Sequence, residues 1–287
     1  MSGARGRAGR GARVFITGGA SGLGRALAER FARAGGRVCI GDLDETRGAE
    51  TVAALAALGA EAHFLRCDVT RDGDLEEAAR WLDERWGGVD VVVNNAGVAV
   101  SGGIADVPLA DWRWAVDVNL LGVVRGCRAF TPLLRRQGGG HLVNVASMAG
   151  LVHPPMMSAY NATKAAVVAL SETLRLELAG DGILVTVVCP GFFRSGLADS
   201  ARASDPGIEG VTRALVVRSR RSAAEIAELV HRGIERGEAH VLTHRDGKAA
   251  WMLKRLLPFP LYLRFLERGS RRMLSRRPEP RREGATP

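Results

Sequence analysis

Residues 12–35 read ARVFITGGASGLGRALAERFARAG. The first part, ARVFITG at 12–18, is a short apolar, β-branched run ending in glycine. GLGRALAERFARAG at 22–35 then has helical periodicity. Between them TGGASGLG (17–24) spaces Gly18, Gly22 and Gly24 as GxxxGxG, with Ser21 and Leu23 among them. Glycines let a backbone turn tightly and approach a pyrophosphate, and the N–H groups that open a helix face an anion. The turn therefore reads as a dinucleotide cradle, although strand-to-helix glycines also serve packing. Asp42 stands 18 residues after Gly24, at the end of the next strand candidate, RVCIGD (37–42). A carboxylate there can accept the ribose hydroxyls of an adenosine and repels a 2′-phosphate, which favours NAD over NADP; capping of the next turn is the alternative.

The alternation continues outward. Strand-like AHFLRCDV (62–69), VDVVVNNAG (89–97), GHLVNVAS (140–147) and ILVTVVCPG (183–191) are separated by helical patterns at 45–59, 72–87, about 108–136 and about 158–179. The nearly continuous apolar run before Asn94 suits a strand buried on both faces. Repeated βαβ units predict one doubly wound parallel α/β domain over 12–250, with 192–222 as a substrate loop or lid. A helix over 223–236 and a last strand near 238–244 complete it. Residues 1–11 read as a basic flexible tail, 251–277 as an apolar and basic extension, and 278–287 as a disordered tail.

The net charge of +9 is unevenly placed. Residues 1–13 carry four Arg and no acid, and 251–287 carry ten Lys and Arg against three Glu, a net of +7. The body, 14–250, has 26 basic and 28 acidic residues, a net of −2, and lacks the interleaved aromatic and basic residues of a nucleic-acid binder. No nucleic-acid partner is expected. The four cysteines form no CxxC, and neither they nor the six histidines have metal-ligand spacing. They read as buried thiols in a reducing compartment. No apolar leader precedes the first strand, and the chain is expected in the cytoplasm.

SAYNATKAAV (158–167) adds chemistry. The chain has three lysines and two tyrosines, and Lys164 lies four residues after Tyr160, on the same helix face. A cation beside a phenol favours the phenolate and lowers its pKa.

Together these stretches resemble the classical short-chain dehydrogenases/reductases. The resemblance covers about 12–195 and rests on TGxxxGxG at 17–24, CDV at 67–69, NNAG at 94–97, Asn119 in DVNLLG, Ser147 in NVAS, YxxxK at 160–164 and PG at 190–191. It implies a Rossmann-like sheet of about seven strands, a nicotinamide cofactor, and hydride transfer between a secondary alcohol and a ketone. It implies that Asp68 and Val69 meet the adenine, and that Asn95, Ala96 and Gly97 line the adenosine side. Pro190, Gly191 and Ser195 would hold the nicotinamide end; the family usually has Thr where Ser195 stands. Asn119, Ser147, Tyr160 and Lys164 would be catalytic: Tyr160 as acid and base, Ser147 as donor to the substrate oxygen, Lys164 reaching the ribose, Asn119 holding a water. The resemblance also implies a homodimer or homotetramer built on the two long helices.

The expected substrate wall is apolar: Ala149, Leu151, His153, Met156 and Met157, with Phe192, Phe193 and Leu197 above. It suits a lipophilic alcohol or ketone: steroid-like, terpenoid or long-chain. A catalytically silent nucleotide-sensing or scaffold protein on the same fold is the competing reading. The extension WMLKRLLPFPLYLRFLERGSRRM (251–273) either makes a peripheral membrane contact or packs on its own domain, with Pro258 and Pro260 breaking any single helix.

Overall fold

Strand β1 (Arg13–Thr17) and helix α1 (Gly22–Arg33) form as their pattern requires, and the alternation runs through the chain. The structure is a computed structural model and describes residues 11–194, 201–204, 210, 217, 219 and 221–274, with backbone alone at 265 and 268–274. After α1 come β2 (Arg37–Asp42), α2 (Glu45–Ala57), β3 (Ala62–Arg66), α3 (Asp72–Trp86) and β4 (Val91–Asn94). Next are β5 (Val100–Ser101), α4 (Leu109–Val116), α5 (Gly122–Arg136), β6 (Gly140–Val145), α6 (Ala149–Val152), α7 (Ser158–Glu177) and β7 (Ile183–Cys189). Then follow β8 (Arg202–Ala203), α8 (Ala223–Arg236), β9 (His240–Leu242), α9 (Arg245–Leu256) and α10 (Phe259–Leu274).

Seven strands form one sheet in the order β3-β2-β1-β4-β6-β7-β9, with every pairing parallel. This is the predicted doubly wound Rossmann-like fold. Period-two alternation sends successive side chains of one strand to opposite layers. Phe15 packs with Phe130, Leu82 and Leu142 under α3, α5 and α7, whereas its neighbours Val14 and Ile16 pack with Leu27, Phe31, Val230 and Ile234 under α1 and α8. Local chemistry sets the ends of elements. Ser222 and Glu225 form a reciprocal cap at the start of α8, and Gly87 and Gly237 close α3 and α8 with φ of 68° and 64°.

Buried polar groups tie the layers together. Asn94 donates to Asn144 Oδ1 (2.8 Å), and Asn144 donates to Ser171 on α7 (3.0 Å). Arg13 clasps Asp90 through two donors (2.9 and 2.8 Å) and also donates to the Trp86 and Gly87 carbonyls.

The helical region expected over 108–136 is not one continuous α-helix. Residues Asp117–Leu121 form a π turn between α4 and α5. One extra residue in that turn brings Asn119 inward, where its side chain is fully buried. The extension also differs from expectation. Helix α9 begins at Arg245, so the predicted boundary at 250 falls inside it. Leu257 takes ψ 144°, as a residue preceding proline prefers, and Pro260 sits in the first turn of α10, where a missing N–H is harmless. Among the described residues no helix is long and apolar enough to cross a membrane. Residues 1–10 and 278–287, expected as tails, and most of 195–220 lie outside the described residues. The described part of the loop includes β8, which pairs with β5.

Gly126 is required by close approach. A Cβ there would overlap Asn94 Oδ1, which cannot swing away because its amide is bonded to Asn144. Alanine is favoured over glycine in a helix by about 1 kcal/mol, whereas overpacking a tight core costs about 1–3 kcal/mol. Gly126→Ala is therefore expected to lower the urea midpoint. An unchanged or higher midpoint counts against this account of the α5–sheet contact.

Candidate active site

The carboxyl ends of the strands open into one cavity of about 800 Å³. Gly18 and Gly22 have φ of 64° and 53°, a region that suits glycine. Gly24 is closed off from the cavity; a Cβ there would overlap the Gly18 carbonyl. The turn is held from β4: Asn95 Nδ2 donates to Thr17 O (2.8 Å) and Gly18 O (3.1 Å), and Thr17 Oγ1 accepts from the Asn95 and Ala96 N–H groups. Ser21 is the N-cap of α1 but its side chain caps no N–H, and the first turn has no acid. Ser21, Gly22 and Leu23 line the cavity, so the opening of α1 offers unscreened donors to an anion.

Asp42, Asp68 and Val69 line the same end, with Asn95, Ala96 and Gly97. Asp42 accepts from the N–H groups of Ala20 (2.9 Å) and Asp44 (3.2 Å). It therefore caps the turn after β2 and also lines the cavity. Asp68 accepts from the Thr70 N–H and hydroxyl (2.9 and 2.7 Å), which orient it. These features fit a dinucleotide: the positive-φ glycines leave its backbone path open, and the Asp42 carboxylate lines the same cavity as the turn.

The other end holds the chemistry. Tyr160 and Lys164 lie on α7, and Ser147 follows β6; all three line the cavity. Ser147 Oγ accepts from the Ala149 N–H (3.1 Å) and lies 3.4 Å from the Pro190 carbonyl, and it lines the cavity with Tyr160. Lys164 Nζ donates to the Val145 carbonyl (2.9 Å) and sits 5.9 Å from the centre of the Tyr160 ring. Gly97 lies close by, since a Cβ on it would be 3.2 Å from Lys164 Nζ. Burial pushes the Tyr160 pKa up, with Ser147 opposing. The lowering expected from Lys164 is not among the causes of this shift; burial is the largest of them and raises the phenol. Burial also lowers Lys164 to about 8.

Asn119 is brought to the cluster but does not line the cavity. Its Oδ1 accepts from Val98 N (2.8 Å), and its Nδ2 donates to Val98 O (2.9 Å) and Thr163 Oγ1 (3.3 Å). These bonds fix the segment after β4.

Of the expected substrate residues, Ala149, Met157 and Phe192 line the cavity. His153 does not. It has φ 53° and turns outward, with Nδ1 3.4 Å from Lys254 Nζ on α9. Leu151 belongs to the core beneath, and Phe193 joins the lining. Pro190 and Gly191 line the cavity as expected; Ser195 and Leu197 lie outside the described residues. Arg194 is directed to the Ser219 carbonyl (3.2 Å) and not into the cavity.

Further contributors were not anticipated. Trp114 lines the cavity from α4, and Arg202 of β8 lies over its ring (3.8 Å) while pairing with Asp111 (2.7 Å). His244 accepts from the Gly191 N–H through Nδ1 (3.1 Å), and burial lowers its pKa, so that nitrogen stays an acceptor near neutral pH. Val152 and Pro154 flank the outward-turned His153 and line the wall. A tryptophan in a helix reads as core, and an arginine 88 residues away gives no local signal of a contact with it. The four cysteines are buried free thiols; burial raises Cys67, Cys127 and Cys189 to about 12, so none is a nucleophile near neutral pH. Among the described residues no group of His, Cys, Asp and Glu has the arrangement of a metal site.

Comparison with known proteins agrees with this geometry. The family model described as short chain dehydrogenase matches residues 12–206. The protein named "Probable oxidoreductase EphD" of Mycobacterium tuberculosis is 39% identical over 197 residues, 68% of this chain. The match covers 33% of EphD, so the chain spans about a third of that relative's length. The CLA biosynthesis dehydrogenase/reductase of Lactiplantibacillus plantarum is 32% identical over 251 residues, covering 81% of this chain and 88% of that protein. The crystal structure of a short chain dehydrogenase/reductase from Burkholderia phymatum in complex with NAD superposes with a TM-score of 0.82 at 35% identity, covering 86% of this chain and 93% of that one. With the match running through both the glycine turn and the Tyr160 helix, this chain belongs to the short-chain dehydrogenase family of oxidoreductases.

Proposed function

We propose that the protein is an NAD-dependent alcohol dehydrogenase/ketoreductase that interconverts a lipophilic secondary alcohol and its ketone. The observation that carries this reading is the shared cavity, which joins the Tyr160 hydroxyl, Ser147 and Lys164 to the glycine turn and Asp42. A nicotinamide dinucleotide, when bound, supplies or accepts the hydride. The protein's residues supply the proton and the placement. In reduction the carbonyl carbon gains the hydride and the oxygen takes the Tyr160 proton, while the Ser147 hydroxyl donates to that oxygen. In oxidation the same phenol oxygen receives the alcohol proton. Burial keeps Tyr160 protonated, which favours its role as acid; the cation of Lys164 opposes loss of that proton least when it is charged, below its pKa of about 8.

Asp42 at the ribose end favours NAD, and the Burkholderia relative was solved with NAD. The substrate end supports a lipophilic partner, since Ala149, Val152, Met157, Phe192 and Trp114 offer no charge to hold an anionic group. A homodimer or homotetramer through α4–α5 and α7 is supported by exposed Leu109 (63%), Leu121 (40%) and Leu176 (80%) on those helices.

Tyr160→Phe is expected to cut turnover at least about a hundredfold, the usual scale of one acid–base group, with NAD affinity kept. An NADH absorbance screen over steroids, terpenols and aliphatic alcohols supplies the assay, and near-normal turnover by the variant sinks the reading. Asp42→Asn is expected to lower preference for NAD over NADP by about tenfold, the worth of one hydrogen bond to a charged group. An unchanged ratio of kcat/KM for the two cofactors removes Asp42 from that role.

Lys164 gives a pH test. Its folded pKa lies below its ordinary 10.5, so between about 8 and 10.5 the unfolded chain binds more protons and stability rises with pH. Below that window the full cost of burying the ammonium is present. Lys164→Met removes the cost. The variant's stability relative to the parent is expected to fall by roughly 2 kcal/mol between pH 7 and pH 10, read from denaturant midpoints without cofactor. A pH-independent difference would mean that Lys164 is buried without cost.

A further inference from the structure

Helices α9 and α10 dock on the body by one side only. Lys254 Nζ donates to the Leu151 carbonyl (2.6 Å), Gly247 lies against Met148, and Trp251 meets the His240 ring (5.7 Å). On α10, Tyr262 is 2% exposed, and its hydroxyl donates to the Val152 carbonyl (3.4 Å). Packing on the domain, one of the two readings made from sequence, accounts for these side chains and leaves the others uncovered. Met252 and Leu256 stand one turn apart on α9, Phe259 and Leu263 stand one turn apart on α10, and Leu261 is also on α10. All five are exposed, Leu256 at 75% and Phe259 at 60%.

Charge identifies the occupant. Arg255 and Arg264 are exposed next to these apolar groups, and residues 251–287 carry a net of +7 against −2 for the body, 14–250. A second copy of the chain would bring the same positive segment against itself, and charge repels it. A nucleic acid would match the charge but leaves Leu256 and Phe259 without a partner. A surface of anionic lipid meets both requirements, since its headgroups neutralise the arginines and its acyl boundary takes up the apolar side chains. We propose that α9 and α10 form a peripheral binding surface for anionic membranes, with Leu256 and Phe259 as the inserted side chains. The break at Leu257–Pro258 separates the two helices, and each of them carries exposed apolar side chains.

The test uses the full chain and vesicles of phosphatidylcholine with or without a third of phosphatidylglycerol, separated by flotation. Most of the protein is expected to float with the anionic vesicles, little with phosphatidylcholine alone, and less at high salt. Leu256→Glu with Phe259→Glu is expected to reduce the bound fraction at least about fivefold, with thermal midpoint and NAD binding unchanged. Three outcomes overturn the proposal. One is no flotation with anionic vesicles. Another is equal flotation of the variant. The third is a parent that ignores vesicles but either loses an oligomeric state in the variant or binds duplex DNA in a salt-sensitive way. The vesicle readout does not depend on turnover, so it stands or falls apart from the proposed chemistry.

Discussion

A sheet whose strands all run parallel delivers every strand's carboxyl end to the same edge. That constraint organises this protein. Gly18, Asp42, Asp68, Asn95, Ser147 and Pro190 lie far apart in sequence, yet each ends or closely follows one of six strands. Parallel pairing also requires crossovers, and these become the helices that cover both faces. The apolar layers around Phe15 and Ile16 therefore hold the strands in register, and the register brings the six residues to one cavity.

The two ends of the buried polar inventory differ in kind. Deep in the sheet, Asn94, Asn144 and Ser171 bond to one another, and His141 bonds to Thr186 while burial lowers its pKa to about 3, which keeps it neutral. These groups cost little because they are uncharged and mostly paired. At the cavity, Lys164 is buried with the Val145 carbonyl as its hydrogen-bond partner, and Tyr160 is buried in the same lining as Ser147. Unequal satisfaction of this type is what a reactive site needs, since a fully bonded group has nothing left for a ligand.

The parts legible in sequence were those with local periodicity or fixed spacing. The glycine turn, the run ahead of Asn94 and the Tyr160–Lys164 interval each state their geometry within one helical turn or one strand, and each stands in the structure where the pattern placed it. Other features depend on contacts between distant segments. Arg202 over Trp114 and His244 behind Gly191 have no local pattern. His153 leaves the expected wall for a reason that residue type does not carry: a left-handed residue at the end of α6 points out of the wall its neighbours form. Asp42 was legible as a carboxylate at a strand end, but its double duty at the Ala20 and Asp44 N–H groups appears only when β1 and β2 are side by side.

The π turn at Asp117–Leu121 has a consequence for what lengths the chain tolerates. In a regular helix each residue advances the azimuth by about 100°. The turn absorbs one residue as a phase shift, so Trp114 before it and Gly126 after it can each face their own neighbour: the cavity in one case, Asn94 in the other. Deleting a residue there would restore a regular helix but put the two halves out of phase. Helix continuity and correct facing are thus alternatives at this point, and the molecule has kept the facing.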